Sequence, residues 1–136
     1  MMKEQTKASN VIKLEHTKDF NYIPWVKGEY IIFVDSDDYI DKDLFKLTYE
    51  KAIKHNSDIV CFDLYYENGY DLKISKGAYF EEVSSYKEDK DIIFNNNSAN
   101  NKLYKREFLN NKQFIKGMWY EDMAVIPVWI AEANFF

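Results

Sequence analysis

An apolar strand pattern that runs directly into clustered acids is the feature that most limits how this chain folds. Residues 30–34 (YIIFV) are apolar or aromatic, and Asp35, Asp37 and Asp38 follow within the next four positions. A continuous run of β-branched and aromatic residues predicts a buried strand. Carboxylates this close repel one another, and burying them without a partner is costly. The strand therefore ends where positive charge is needed, from solvent and a helix N-terminus or from a bound cation.

The segments after the acids alternate between helix and strand patterns. Asp41 is expected to cap a helix from about Lys42 to His55, because the last turn holds the basic residues that a helix C-terminus favours. Residues 58–66 (DIVCFDLYY) predict a second buried strand. Asn68-Gly69 then predicts a two-residue turn into a partner strand, YDLKI. The buried side of the helix is expected to carry four residues: Leu44, Leu47, Thr48 and Ile53.

The second half of the chain predicts further short elements. The first is a strand at 77–83, followed by a short helix that a Ser85/Glu88 capping box opens and that ends near Phe94. A polar loop at 95–101 then leads to a strand passing into a helix at 102–109. A last helix, which contains Pro127, follows Tyr120. The order strand, helix, strand is that of a parallel or mixed sheet. The predicted fold class is therefore α/β, a mixed sheet flanked by helices.

Composition excludes several classes of function. The chain has 136 residues, enough for one domain or part of one, and 46% of them are hydrophobic. Its net charge of −5 argues against nucleic acid as a partner. The lone Cys61 cannot form an internal disulfide, and together with a polar N-terminus this indicates a cytoplasmic protein. The longest apolar run is too short to span a bilayer, which leaves only peripheral membrane association open.

Three interpretations of DSDDYID compete. A strand end followed by a helix cap explains Asp41 but not the crowded acids before it. A calcium loop counted from Asp35 would place Tyr39, Ile40 and Lys46 at positions that need a ligand, glycine and glutamate, so it is discarded. The third interpretation is a divalent metal at the end of a strand, where open α/β sheets bind ligands. Asp35 and Asp37 suit Mg²⁺ or Mn²⁺, whose other positions are filled by water and phosphate oxygens.

The segment GEYIIFVDSDDYID resembles the metal-binding Asp-X-Asp segment of family 2 glycosyltransferases with the GT-A fold. The resemblance continues in order through NKLYKREFL (101–109) and YEDM (120–123). It implies a partial GT-A fold and transfer of a sugar from a nucleotide-diphosphate donor, with a UDP-sugar as the first candidate. The acceptor implied is a saccharide, such as a cell-surface polysaccharide or exopolysaccharide.

By this resemblance, Asp37 binds the Mg²⁺ or Mn²⁺ ion, Asp35 contacts either the ribose of the donor or the hydration shell of the metal, and Asp38 helps to orient the donor sugar. Asp122 is the base that deprotonates the acceptor hydroxyl in an inverting reaction, and Glu121 supports it. From the residues alone, acids in the first turn of a helix are also explained by the helix dipole. Contacts with acceptor or phosphate are expected, more weakly, from five residues: Asn101, Lys102, Arg106, Trp119 and Tyr120.

The N-terminal region departs from the family pattern. Residues 1–27 are expected to be a poorly defined segment and residues 28–136 a partial glycosyltransferase-like domain, because no nucleotide-binding strand and turn precede KGEY. Whether such a chain turns over substrate by itself stays open. An incomplete sheet exposes an edge, which predicts a homodimer or strand-exchanged oligomer.

Two other functions fit parts of the sequence. A phosphatase resembling the haloacid dehalogenase superfamily would use Asp35 as nucleophile and Asp37 as acid/base, although Tyr39 departs from that pattern. A non-catalytic module that pairs with a complete transferase is the alternative from a different class.

Overall fold

A computed structural model of the chain describes residues 27–35, 37–67, 72–76 and 83–135. The expectations for residues 1–26, for the Asn68-Gly69 turn and for most of the 77–83 strand lie outside these ranges. The elements in chain order are β1 (Tyr30–Ile32), α1 (Leu44–His55), β2 (Ile59–Cys61), β3 (Leu64–Glu67), β4 (Leu72–Ser75), a 3₁₀ helix (Lys90–Phe94), β5 (Lys102–Lys105), α2 (Arg106–Leu109) and α3 (Glu121–Glu132).

A three-stranded sheet with the order β1-β5-β2 forms the centre of the described fold. Both pairs are antiparallel, with Ile31 opposite Tyr104 and Val60 opposite Leu103. β1 and β2 therefore run in the same direction on either side of β5, with helix α1 in the connection between them. The carboxyl ends of β1 and β2 consequently lie at the same edge of the sheet as the beginning of β5.

Four aromatic rings join the sheet to the last helix. Phe33 packs edge-to-face against Tyr104 of β5, with ring centroids 5.5 Å apart, and Phe114 packs in the same way against Trp129 of α3, with ring centroids 5.0 Å apart. The ring of Tyr104 also meets that of Trp129 at 5.9 Å. Edge-to-face aromatic pairs stabilise a core beyond the area that they bury. This cluster fixes the position of α3, and so of its first turn, relative to β5.

Helix α1 ends at His55 as predicted, but it begins two residues later than predicted. The Asp41 carboxylate accepts a hydrogen bond from the Asp43 backbone N–H at 2.8 Å, forming a turn before the helix instead of capping it at Lys42. The predicted buried side is wrong for Leu47 and Ile53, which are 58% and 52% exposed. The helix buries Thr48 and Ala52, which lie on one face because they are four residues apart. Leu47 and Ile53 lie to either side of this face.

The predicted strand at 58–66 is divided between two sheets. β2 joins the central sheet, whereas β3 pairs with β4 in the predicted hairpin. The register places Leu64 opposite Ser75 and Glu67 opposite Leu72.

The Ser85/Glu88 capping box is also wrong. The Ser85 hydroxyl donates to the Glu88 carboxylate at 3.1 Å, and the short helix begins only at Lys90, where Asp89 caps it. The structure confirms the predicted end of this helix at Phe94, the loop at 95–101, and the strand passing into a helix at 102–109. The last helix is confirmed as well. Among the helices that the structure describes, none has the length and apolar character needed to cross a membrane.

Helix α3 offers a matched test of this packing. Ile126 is fully buried, whereas Val128 on the same helix is 52% exposed. We expect Ile126→Ala to lower the free energy of unfolding by about 2–5 kcal/mol, because it leaves a cavity under the sheet. Val128→Ala should change it by less than about 1 kcal/mol. Urea denaturation of both variants measures the difference, and equal effects would contradict the described packing of α3.

Candidate active site

A polar loop joins the two acidic segments that the sequence singles out. We call residues 95–101 (NNNSANN) the asparagine loop. Within it, the Asn100 side-chain amide donates to Asp35 Oδ2 at 2.6 Å, and the Ala99 backbone N–H donates to Asp122 Oδ2 at 2.8 Å. These acids lie 65 and 23 residues away along the chain from the groups that bind them. Two consecutive residues of one loop therefore bring the end of β1 and the start of α3 to one site.

The surrounding elements explain this arrangement. Asp35 follows β1 and the asparagine loop leads into β5, and these two ends meet because the strands are antiparallel neighbours. The buried Tyr104 hydroxyl donates to the Ala99 carbonyl at 3.2 Å, which ties the loop to β5. Tyr120 precedes α3 in the left-handed region, with φ of 57°, so Asp122 enters the site from the first turn of the helix.

Asp122 is half-buried, and its environment favours the protonated form. Burial raises the pKa of this carboxyl above its ordinary value, and the charges of Glu121 and Asp35 act in the same direction. The Ala99 N–H and the Lys102 ammonium oppose the shift without reversing it. A carboxylate whose pKa is raised is a stronger base than a free aspartate, which is the property that proton abstraction requires.

The strand-end acids are open to solvent. Asp35, Asp37 and Asp38 are all exposed, and the Asp38 N–H donates to the Asp35 carbonyl at 3.0 Å, which closes a turn. Partial burial, followed by the charges of Asp35 and Asp37, raises the pKa of Asp38. This repulsion is what a bound cation would relieve.

The donor atoms present fit a hard cation that keeps much of its water. Asp35 and Asp37 offer carboxylate oxygens, the ligands that Mg²⁺ and Mn²⁺ prefer. Within the described part of the chain, no group of three or more His, Cys, Asp or Glu side chains is arranged to hold a metal ion. The acids therefore suit an ion whose remaining positions are filled by water and by phosphate oxygens of a ligand.

Lys102 and Asn101 lie inside the protein, not on the surface of the site. Both side chains are fully buried. The Lys102 ammonium donates to the Asn96 carbonyl, to the Ser98 carbonyl at 2.7 Å and to Asn101 Oδ1 at 2.6 Å. Burial lowers the pKa of Lys102 to about 8, so the ammonium is still mostly protonated at neutral pH. Both side chains are thus enclosed by the asparagine loop and β5, and neither is presented to a phosphate or an acceptor.

The other three weaker candidates lie at two different places in the fold. Arg106 is exposed at the far end of β5, where its backbone N–H donates to the Glu29 carbonyl at 2.8 Å, and the fold does not bring it to the acids. Trp119 and Tyr120 are 88% and 76% exposed. They lie directly before α3, two and three positions ahead of Asp122 in the chain.

Sequence reasoning missed the residues that join the site. Ala99 and Asn100 hold the two acids, and Asn96 connects the loop to the hairpin by donating to the Ser75 hydroxyl at 3.1 Å. The available signal was the run of amide side chains immediately before NKLYKREFL, since Asn side chains make local hydrogen bonds that shape loops. The pattern identified a polar loop, but nothing in it indicated which distant residues the loop would bind.

Comparisons with known proteins identify the family of the chain. The model of the family "Glycosyl transferase family 2" matches residues 21–115. A relative, glycosyltransferase GlyA of Streptococcus pneumoniae serotype 4 (strain ATCC BAA-334 / TIGR4), is 30% identical over 115 residues, which cover 71% of this chain and 16% of the relative. The chain thus spans about a sixth of that protein.

A solved structure extends the comparison to the fold. The crystal structure of S. aureus TarS 1-349 matches with a TM-score of 0.65 and 25% identity, over 82% of this chain and 33% of that one. The expected fold class, α/β with a partial GT-A fold, is confirmed. The family match includes Asp35, Asp37 and the asparagine loop. It ends before Asp122 and so gives no information on a role of Asp122 as a base.

The environment of Asp122 predicts how the charge of this residue affects stability. Because its pKa is raised in the folded state, its contribution is most favourable at low pH and is lost as the pH rises through the folded-state pKa. Asp122→Asn keeps an oxygen that can accept from Ala99 and removes the charge. We expect its melting temperature at pH 7 to equal or exceed that of the parent protein, with the difference shrinking toward pH 3.

The control variant is Asp122→Ala, which leaves the Ala99 N–H without its acceptor. It should lower the free energy of unfolding by about 1 kcal/mol or more. Thermal melts across pH distinguish the two variants. A melting temperature of Asp122→Asn at pH 7 as low as that of Asp122→Ala would contradict the described environment.

Proposed function

The chain belongs to glycosyl transferase family 2, and from that premise we propose that this site transfers a sugar from a nucleotide-diphosphate donor to a saccharide acceptor, with inversion at the anomeric carbon. One observation carries the proposal. The asparagine loop holds Asp35 through Asn100 and Asp122 through Ala99, so a donor-side acid and a candidate base are bound by two consecutive residues of one loop. A reaction between two substrates needs this kind of fixed relation between the groups that serve each of them.

On the donor side, Asp35 and Asp37 would hold Mg²⁺ or Mn²⁺, and Asp38 would contact the donor. When bound, the ion offsets negative charge that develops on the departing diphosphate. Asn100 keeps the Asp35 carboxylate in one orientation, while its other oxygen, Oδ1, remains available for an ion. The first candidate for the donor is a UDP-sugar.

On the acceptor side, Asp122 would take the proton. The acceptor hydroxyl oxygen forms a bond to the anomeric carbon as the bond from that carbon to the diphosphate oxygen breaks. The electron pair leaves with the nucleotide diphosphate, and the hydroxyl proton moves to Asp122. Asp122 Oδ2 is occupied by the Ala99 N–H, so Oδ1 is the atom that would receive the proton. Glu121 raises the pKa of Asp122 and so strengthens the base.

The exposed rings of Trp119 and Tyr120 would support the acceptor sugar, since flat apolar rings pack well against sugar faces. We assign residues 28–136 to the transferase-like domain and the reaction to the cytoplasm. The chain spans only part of the length of the relatives that it matches, so the transfer reaction is a proposal for this chain. Association of copies through an exposed sheet edge stays a prediction.

The donor site is tested by calorimetric titration of UDP into the chain with and without Mn²⁺. We expect binding that requires Mn²⁺ and that falls at least ~10-fold in Asp37→Ala, because one of two carboxylate ligands is gone. Asp41→Asn is the matched control from the same acidic segment, since its carboxylate is engaged with the Asp43 N–H. Absence of Mn²⁺-dependent binding at millimolar UDP would contradict a donor site within this chain.

The base is tested by the pH dependence of sugar transfer. The rate should decline on acidification with an apparent pKa above the ~3.9 of free aspartate, and Asp122→Asn should lower kcat by about 10²–10⁴-fold. Glu121→Gln removes one cause of the raised pKa of Asp122, so it should move the acidic limb to lower pH. Transfer that persists at full rate in Asp122→Asn would remove Asp122 from this role.

A further inference from the structure

Binding of the donor or acceptor substrate does not explain the hydrogen bonds that the buried ammonium of Lys102 makes. An ammonium group has three donors and no acceptor. All three are matched by oxygens of the asparagine loop: the carbonyls of Asn96 and Ser98 and the side chain of Asn101. A buried ammonium without acceptors is strongly unfavourable, so these oxygens are held around it. A ligand phosphate could reach the group only by displacing them.

The positions of the three oxygens along the chain are informative. Two come before Ala99 and Asn100 and one comes after them, so the ammonium connects both sides of this pair. Local hydrogen bonds shape each side as well: the Ser98 N–H donates to Asn96 Oδ1 at 2.9 Å, and the Asn100 N–H donates to the Ser98 hydroxyl at 3.3 Å. Each of these bonds joins residues that are two positions apart. The ammonium instead joins residues from Asn96 to Asn101, which is nearly the whole loop.

We propose that Lys102 is a positioning residue, whose ammonium sets the loop conformation in which Ala99 holds Asp122 and Asn100 holds Asp35. The inference rests on the proposed function, which makes Asp122 the base and Asp35 a metal ligand. Lys102 touches neither substrate. It acts on both halves of the reaction through one loop, because the two residues that bind the acids are consecutive.

The test compares Lys102→Met, which keeps the length and apolar stem of the side chain, with Lys105→Met in the full chain. Lys105 is the next lysine on β5, and among the described residues its ammonium makes a long, exposed contact of 3.5 Å with Asn56. The readout is hydrogen exchange of the Ala99 backbone amide by NMR, with the Ile130 amide of α3 as a measure of global stability. Lys102→Met should speed exchange at Ala99 by at least ~10-fold, about the value of one hydrogen bond, relative to any change at Ile130.

The Asn100 side-chain amide provides a second signature. Its signals should move toward those of a solvent-exposed amide in Lys102→Met and stay in place in Lys105→Met. A folded Lys102→Met chain that keeps slow exchange at Ala99 and unchanged Asn100 signals would overturn the proposal. If Lys102→Met does not fold, the parent protein decides: the Lys102 ammonium should give an NMR signal protected from water exchange, and exchange as fast as at Lys105 overturns the proposal.

Nucleotide binding distinguishes this inference from the proposed function. In a parent chain that binds UDP with Mn²⁺, Lys102→Met should weaken binding at least ~10-fold through the loss of Asn100 support for Asp35, whereas Lys105→Met should not. If the parent chain binds no nucleotide, the proposed donor site is wrong, and the amide exchange at Ala99 still decides the role of Lys102.

Discussion

The pair of hydrogen bonds from Ala99 and Asn100 to two distant carboxylates is the constraint on which the rest of the site depends. One bond draws in the end of β1 and the other draws in the first turn of α3. Each is a bond to a charged acceptor, the stronger kind of hydrogen bond in proteins. The antiparallel sheet and the aromatic cluster bring the elements close together, and this loop binds the carboxylates of both acids.

The electrostatics of the site work against stability and in favour of chemistry. Like charges gather at Asp35, Asp37 and Asp38, and burial together with Glu121 raises the pKa of Asp122. Proteins retain such unfavourable arrangements mainly where function needs them. The compensation is local: the Ala99 N–H and the Lys102 ammonium each favour the charged form of Asp122 without cancelling the shift. The shift of the Asp122 pKa toward a more basic carboxylate is the direction that a proton acceptor needs.

Sequence patterns were reliable where one local rule decided the structure. The run KLYKREFL predicted a strand passing into a helix and formed both, and His55 followed by Asn56 ended α1 as expected. They failed where a tertiary choice overrode the pattern. The apolar run at 58–66 reads as one strand, yet its two parts pair in different sheets. Leu47 and Ile53 fit a helical stripe, yet the face that packs on β2 is the one with Thr48 and Ala52.

The sequence by itself determined the family, the acidic strand end and the acids that open the last helix, because each is a short pattern of residue types with local causes. Only the tertiary structure decided that Lys102 and Asn101 are interior, that Arg106 lies at the far end of β5, and that Ala99 and Asn100 connect Asp122 with Asp35. The physical reason is range. Strand and helix patterns arise from neighbours within a few residues, whereas these contacts depend on which strand ends the antiparallel sheet brings together.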